Sequence, residues 1–414
     1  MEFGTTYVIL ACIFGFLMAW GIGANDVANA MGTSVGSGAV TLRQAILIAM
    51  VFESFGAVLA GGGVTDTIRK NLINPAALAE TPELLVHAML AALLATAIWL
   101  ALASHRGWPV STTHTIVGSI VGLGAISLGL DAIQWPHIGK ILLAWLLSPL
   151  IGGVLAFVLY MSVRIFILNT ASPFDRAKKI VPLYIFLTTY IFTSITIMTG
   201  LGHIGIQISY STGIAMTLAV STVAAIIGAL LLARVNEQND NPHFHYESVE
   251  RVFGVLMVFT GCAMAFAHGS NDVSNAVGPL AAVVSIVATN QVTQSAAMPS
   301  WILLLGAGGI VVGLLTYGHH VIATIGQGIT QLTPTRGFAA TLAAALTVAL
   351  ASAIGMPIST THTLVGAILG VGLARGIDAL NLSGIAKIFT SWLVTPPAGA
   401  FVSVILFQIF QWIF

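Results

Sequence analysis

Long apolar stretches separated by short polar breaks run through the whole chain. Twelve of them reach or approach the roughly 20 residues that a helix needs to cross a bilayer. They lie near 5–24, 42–62, 83–103, 108–130, 138–168, 182–200, 210–234, 252–277, 298–318, 338–354, 356–374 and 386–413. These runs are apolar on every side, so they predict helices rather than the alternating ten-residue strands of a membrane barrel. The fourth and eleventh turn polar at one end, which predicts interrupted helices; both are counted as net crossings. The first run passes straight into Asn25 and Asp26 without a cleavage site, so it is expected to stay as a helix. The one hydrophilic stretch longer than a turn, 235–251, is too short for a soluble domain and reads as a cytoplasmic linker.

Composition agrees with an all-α membrane protein. Hydrophobic residues make up 57% of the 414 positions and charged residues 7%, against about 25% charged in soluble domains. Mean hydropathy is +0.98. Fourteen basic and 14 acidic residues leave no positive field for a nucleic acid. Cys12 and Cys262 each sit in an apolar run, which excludes a disulfide scaffold. The charges also orient the chain. With the N-terminus outside, Arg69, Lys70 and Lys140 are the only ones of the 14 lysines and arginines that fall outside. The rest fall inside, as the positive-inside rule asks, and both termini are expected outside.

The chain also repeats itself. Residues 23–32 read GANDVANAMG and residues 269–278 read GSNDVSNAVG. Residues 108–124 read WPVSTTHTIVGSIVGLG and residues 356–372 read MPISTTHTLVGAILGVG. Two unrelated motifs recur in the same order at nearly the same offset, so the chain is two copies of one unit. Each motif lies seven crossings from its twin, an odd number, so the copies face opposite ways. Inverted repeats of this kind are common in secondary transporters, which bind substrate near the midplane on interrupted helices. The expected division is a first repeat at 1–168, two connecting crossings and the linker at 169–249, and a second repeat at 250–414.

Asn25, Asp26 and Asn29 share one helix face. Neighbouring glycines allow local unwinding, so carboxylate, amide and carbonyl oxygens can form a hard cage for a small cation. Asn271, Asp272 and Asn275 repeat the set. An aspartate in a membrane core costs about 2.5–3.5 kcal/mol on insertion scales, which favours a function for the pair over a purely capping role. For the asparagines, helix capping and ligand binding are evenly balanced. Pro109 followed by Ser111, Thr112 and Thr113 is a helix-start signal, and so is Pro357 with Ser359, Thr360 and Thr361. A helix start offers free N–H groups and a partial positive charge, so each segment can cradle an anion without arginine. The alternative is that these hydroxyls only satisfy freed backbone in a broken membrane helix. No lysine or arginine lies in either motif. A dianion would meet two repelling aspartates unless cations reversed the local field, which points to cation–anion symport.

His114 and His362 can donate to the anion, carry a proton or bond between helices, and Glu53 is a lone carboxylate inside the second run. Gln327, in TIGQGIT, is a weaker candidate, and Arg69 with Lys70 can attract anions or anchor the interface. His319 and His320 form no metal-ligand set with nearby histidines or cysteines. An intramembrane hydrolase using Ser111 or Thr112 with His114 and Asp26 is the alternative from another class. It is disfavoured because catalysis needs one asymmetric set and here everything is duplicated. A channel is a third option.

At GANDVANA (23–30), HGSNDVSNAVGP (268–279) and the segments PVSTTHT and PISTTHT, the chain resembles the inorganic phosphate transporter family, PiT. The resemblance extends to VTDTIRKNLI (64–73) and VIATIGQGITQLTPTRGF (321–338). It implies an inverted-repeat carrier that moves inorganic phosphate with sodium or protons; some relatives carry sulfate instead. By resemblance, Asp26, Asn29, Asp272 and Asn275 belong to cation sites. Ser111, Thr112, Thr113, Ser359, Thr360 and Thr361 look like phosphate contacts, and Asn25 and Asn271 serve either. No cofactor is expected beyond the coupling cation. The linker is much shorter than the cytoplasmic loop of animal members, which implies a prokaryotic plasma membrane. The apolar outer faces suit lipid or a homodimer.

Overall fold

The computed structural model describes residues 3–70, 72–74, 78, 80–237, 246–292, 299–321, 332–376 and 382–414. Its helices are α1 (Gly4–Asn25), α2 (Val27–Gly36), α3 (Leu42–Ala60), α4 (Gly62–Lys70), α5 (Pro82–His105), α6 (Thr112–Leu123) and α7 (Trp135–Val163). They continue as α8 (Pro173–Ile195), α9 (Tyr210–Ala233), α10 (Glu247–Thr289), α11 (Ser300–Thr316), α12 (Pro334–Ala353), α13 (Thr360–Arg375) and α14 (Leu382–Ile413). Among the described residues, nine helical stretches are long and apolar enough to cross a membrane, and Thr112–Ser127 and Ser300–Thr316 are shorter apolar helices. With α13, these account for all twelve apolar runs, and the protein is a multi-pass membrane protein.

Two features differ from the reading of twelve full crossings. Helix α6 and the π-helical turn that continues it to Leu128 together reach roughly 24 Å, short of the ~30 Å hydrocarbon core. Its start meets the start of α13 in the interior: Thr113 Oγ1 donates to Ile358 O at 3.0 Å and Thr361 Oγ1 donates to Val110 O at 3.3 Å. The fourth and eleventh segments are therefore half-helices, folded back on α5 and α12 as two hairpins whose turns meet. A hairpin replaces two crossings, so the parity of every later segment is kept. Only Arg106 moves, from a surface loop to a hairpin turn. The second feature concerns the acidic motifs. The first interrupts its helix for a single residue, Asp26, whose N–H still bonds Ile22 O at 2.8 Å. Its twin lies in the unbroken 43-residue α10.

Glycine sets how closely the repeats approach. A Cβ on Gly23 would lie 1.9 Å from Ile310 O, and one on Gly313 would lie 1.9 Å from Trp20 O, so α1 and α11 touch backbone to backbone. The same pair of contacts joins α10 to α3, at Gly269 against Glu53 O and Gly56 against Phe266 O. Likewise Gly118 and Gly122 press on Pro396 and Ala400 of α14, while Gly366 and Gly370 press on Pro149 and Gly153 of α7. Each contact has its partner in the other repeat, which is what a pseudo-two-fold axis requires. Each also joins one repeat to the other. The two apolar cores follow this interlocking. One is built mainly from α2, α3, α7, α8, α12, α13 and the first part of α10. The other is built from α1, α5, α6, α11, α14 and the last part of α10.

Candidate functional site

The hairpin turns are held by the first asparagine of each acidic motif. Asn25 accepts from Val110 N–H at 3.3 Å and donates to Trp108 O at 3.0 Å and Ser104 Oγ at 3.2 Å. Asn271 accepts from Ile358 N–H at 3.3 Å and donates to Met356 O at 3.2 Å and Ser352 Oγ at 3.0 Å. Donors and acceptor of both amides are thus engaged, and these residues shape the cradle. The serines then begin the helices. Ser111 Oγ accepts from His114 N–H and Ser359 Oγ from His362 N–H, both at 3.2 Å, an N-cap in each case. The first-turn N–H groups beyond the cap have no intrahelical acceptor. Two helix starts, each with its hydroxyls, therefore face one another in the interior.

The carboxylates sit against those starts. Thr112 Oγ1 donates to Asp26 Oδ2, and Thr360 Oγ1 donates to Asp272 Oδ2 at 2.9 Å. The second asparagines cross between repeats: Asn29 Nδ2 donates to Thr361 Oγ1 at 2.7 Å and Asn275 Nδ2 to Thr113 Oγ1 at 3.1 Å. None of these twelve side chains is more than 3% exposed. Asp26 Oδ1, Asp272 Oδ1 and Asn275 Oδ1 are buried with no hydrogen-bond partner.

The two carboxylates are also close to each other. One oxygen of each, together with a ring nitrogen of His268, lies within a set no more than 4.8 Å across. Two unit charges at that separation repel by about 3–4 kcal/mol at an effective dielectric near 20. Unpaired hard oxygens around such a charge fit a hard cation.

His268 is the residue that motif reading missed. It lies between two acids, its Nδ1 3.1 Å from Glu53 Oε1 and its Nε2 2.9 Å from Asp272 Oδ2. Glu53 thereby reaches the site through His268. At the 246-residue offset of the acidic motifs, His268 corresponds to Ile22, and the matched glycine contacts pair Glu53 with Ile310. Aligning the repeats position by position would have exposed this asymmetry: Asp272 has a polar chain behind it and Asp26 has two isoleucines in the equivalent places.

The other candidates lie elsewhere. His114 stacks on Trp145 at 3.7 Å and His362 on Trp392 at 3.6 Å, with the two imidazoles edge to face at 4.1 Å. Among the described residues no carboxylate is within bonding reach of either ring, so the Ser–His–Asp set needed for a hydrolase is not assembled there. Arg69 and Lys70 pair with Asp66 at 3.2 and 3.0 Å. Gln327 lies outside the described residues.

Two buried carboxylates, each bonded to the start of a hairpin helix that points at its twin, form a duplicated candidate ion site, and comparison with known proteins gives the family. The model of the phosphate transporter family matches residues 22–403. The chain belongs to that family. A solved structure titled "The sodium-dependent phosphate transporter" superposes on this phosphate transporter with a TM-score of 0.92 and 38% identity, over 99% of this chain and all of that one. Inorganic phosphate transporter 2-1, chloroplastic, of Arabidopsis thaliana is 42% identical over 97% of this chain and 71% of its own length. A Haemophilus influenzae relative, provisionally named a phosphate permease, is 49% identical over 100% of this chain and 99% of its own. The protein is thus a member of a phosphate transporter family rather than an enzyme.

Proposed function

We propose that the protein imports inorganic phosphate by symport with sodium, through alternating access, across a prokaryotic plasma membrane with both termini outside. The observation that carries this reading is a shared hydroxyl. Thr112 and Thr360 stand at the starts of the anion cradles, yet each gives its one proton to an aspartate. While that bond is made, the hydroxyl is not available to phosphate. A cation on Asp26 or Asp272 takes over the carboxylate charge and releases the hydroxyl to the anion. Binding of one ion thus prepares the site of the other, which is the reciprocity that coupling demands.

Asp26, Asn29, Asp272 and Asn275 form the sodium sites in this reading. Ser111, Thr112, Thr113, Ser359, Thr360 and Thr361 form the phosphate site, with Asn25 and Asn271 holding its loops. Residues 1–168 and 250–414 supply equivalent halves around residues 169–249. The complete burial of the site supports a carrier caught occluded rather than an open pore. That the solved relative is a sodium-dependent phosphate transporter favours sodium over protons.

Labelled phosphate uptake into proteoliposomes tests the proposal, with an imposed sodium gradient, an imposed pH gradient, or excess sulfate outside. Uptake driven by sodium and unaffected by sulfate is expected. Uptake driven by the pH gradient alone would replace sodium with protons, and sulfate transport in place of phosphate would remove the substrate assignment.

A further inference from the structure

Far from the central site, at the arginine-rich face, the ends of α7, α10, α12 and α13 enclose a cavity of about 610 Å³. Arg164, Arg336 and Arg375 all line it, together with Tyr160 and Tyr246. The two glutamates in its wall are already engaged. Glu250 accepts from Thr335 N–H at 2.7 Å and Thr335 Oγ1 at 2.8 Å, capping the start of α12, and Glu247 is 3.2 Å from Arg251. Glu250 keeps its charge and Arg251 offsets that of Glu247, so against three guanidinium groups in the wall one carboxylate is left uncompensated and the balance is positive. Arg164 and Arg375 are exposed to it. Planar guanidinium forks match phosphate oxygens two at a time, and tyrosines favour the level of lipid headgroups. Basic pockets between membrane helices at a cytoplasmic surface take anionic headgroups.

We propose that this cavity is a second anion site that binds a phosphate group, separate from the transport site. Its position gives it a consequence. Helix α13 runs from Thr360 at the central cradle to Arg375 here, and α10 runs from Glu247 here to Asp272. A phosphate group bridging the arginines ties together the far ends of the helices that carry the second half-site. The group has two available sources: the headgroup of an anionic phospholipid, or inorganic phosphate on the face from which transported phosphate leaves.

The full-length protein tests this in two arms, each with R164Q/R375Q beside the wild type. In the first, phosphatidylglycerol is added to protein in neutral detergent and the thermal unfolding midpoint is followed. A rise of about 2 °C or more, lost in the double variant, assigns the site to lipid. In the second, uptake is measured in phosphatidylcholine vesicles preloaded with inorganic phosphate. Slowing by internal phosphate in the wild type and not in the variant assigns the site to the free ion. Should the variant fail to fold, R164K/R375K keeps the charge and loses the forks, and a weakened response is expected. If wild-type protein responds to neither phosphatidylglycerol nor internal phosphate, or if the folded variants respond as wild type does, the proposal is overturned. The lipid arm does not depend on transport, so its outcome stands apart from that of the uptake experiment above.

Discussion

At the scale of single residues, the proposed coupling rests on two threonine hydroxyls. A hydrogen bond to a charged group is worth about 1.5–3 kcal/mol, roughly 10- to 100-fold in affinity. Thr112→Ala removes a hydroxyl that sodium would release and phosphate would gain, so it is expected to raise the half-saturating concentration of phosphate and weaken its dependence on sodium without weakening sodium binding itself, while Thr112→Ser, which keeps the hydroxyl, stays near wild type. Uptake titrations in both ions separate the two variants. A Thr112→Ala protein whose phosphate affinity keeps the wild-type dependence on sodium would break the shared-hydroxyl argument. Most of these side chains were legible in the sequence, because both motifs occur twice and carry buried charge. What spacing leaves open is direction. Asn25 and Asp26 are neighbours, yet one amide closes a hairpin turn and the adjacent carboxylate meets the helix start at Thr112. Nor does spacing reveal His268, because its partner Glu53 lies 215 positions away on another helix.

At the scale of helices, the apolar pattern located every membrane segment, since burial in lipid demands an apolar surface along the whole length. It counted the interrupted fourth and eleventh as crossings, because a half-helix inside the protein is as apolar as a spanning one. Their shortness shows only when the start of α6 is fixed by the Ser111 cap and the Asn25 clamp. What sets the helices against each other is glycine. A Cβ on Gly313 would meet Trp20 O at 1.9 Å and two further backbone atoms at 2.8 and 2.9 Å, whereas one on Gly308, on the same helix, meets nothing within 4 Å. Overpacking of this sort costs about 1–3 kcal/mol where the neighbour can move, and backbone atoms of a packed helix move little. Gly313→Ala should lower the unfolding midpoint and the yield of monodisperse protein, while Gly308→Ala leaves both unchanged. Equal midpoints for the two variants would mean that α1 and α11 are not locked by this contact.

At the scale of the whole molecule, the proposed alternating access requires a closed site to open to one side and then to the other. The two apolar cores supply the means, because each draws helices from both repeats and the ion centre lies where α6, of one core, meets α13, of the other. Motion of one core against the other parts the two helix starts without unpacking either core. Ser111 and Ser359 flank that seam and are 3% and 1% exposed, so a thiol placed there reports opening directly. Ser111→Cys, with Cys12 and Cys262 replaced by serine, should be reached by a membrane-impermeant thiol reagent from either face of the membrane. The two rates should respond oppositely to sodium, since a ligand that binds one state better draws the population toward it. Sodium and phosphate together should slow both, by holding the site occluded. A pore behaves differently: its thiol reacts rapidly from both faces under one condition, and phosphate protects it only by occupancy. Measured rates that rise on both sides at once would therefore replace the rocking cores with a continuous path, and would leave the paired aspartates as a selectivity filter instead of a coupling site.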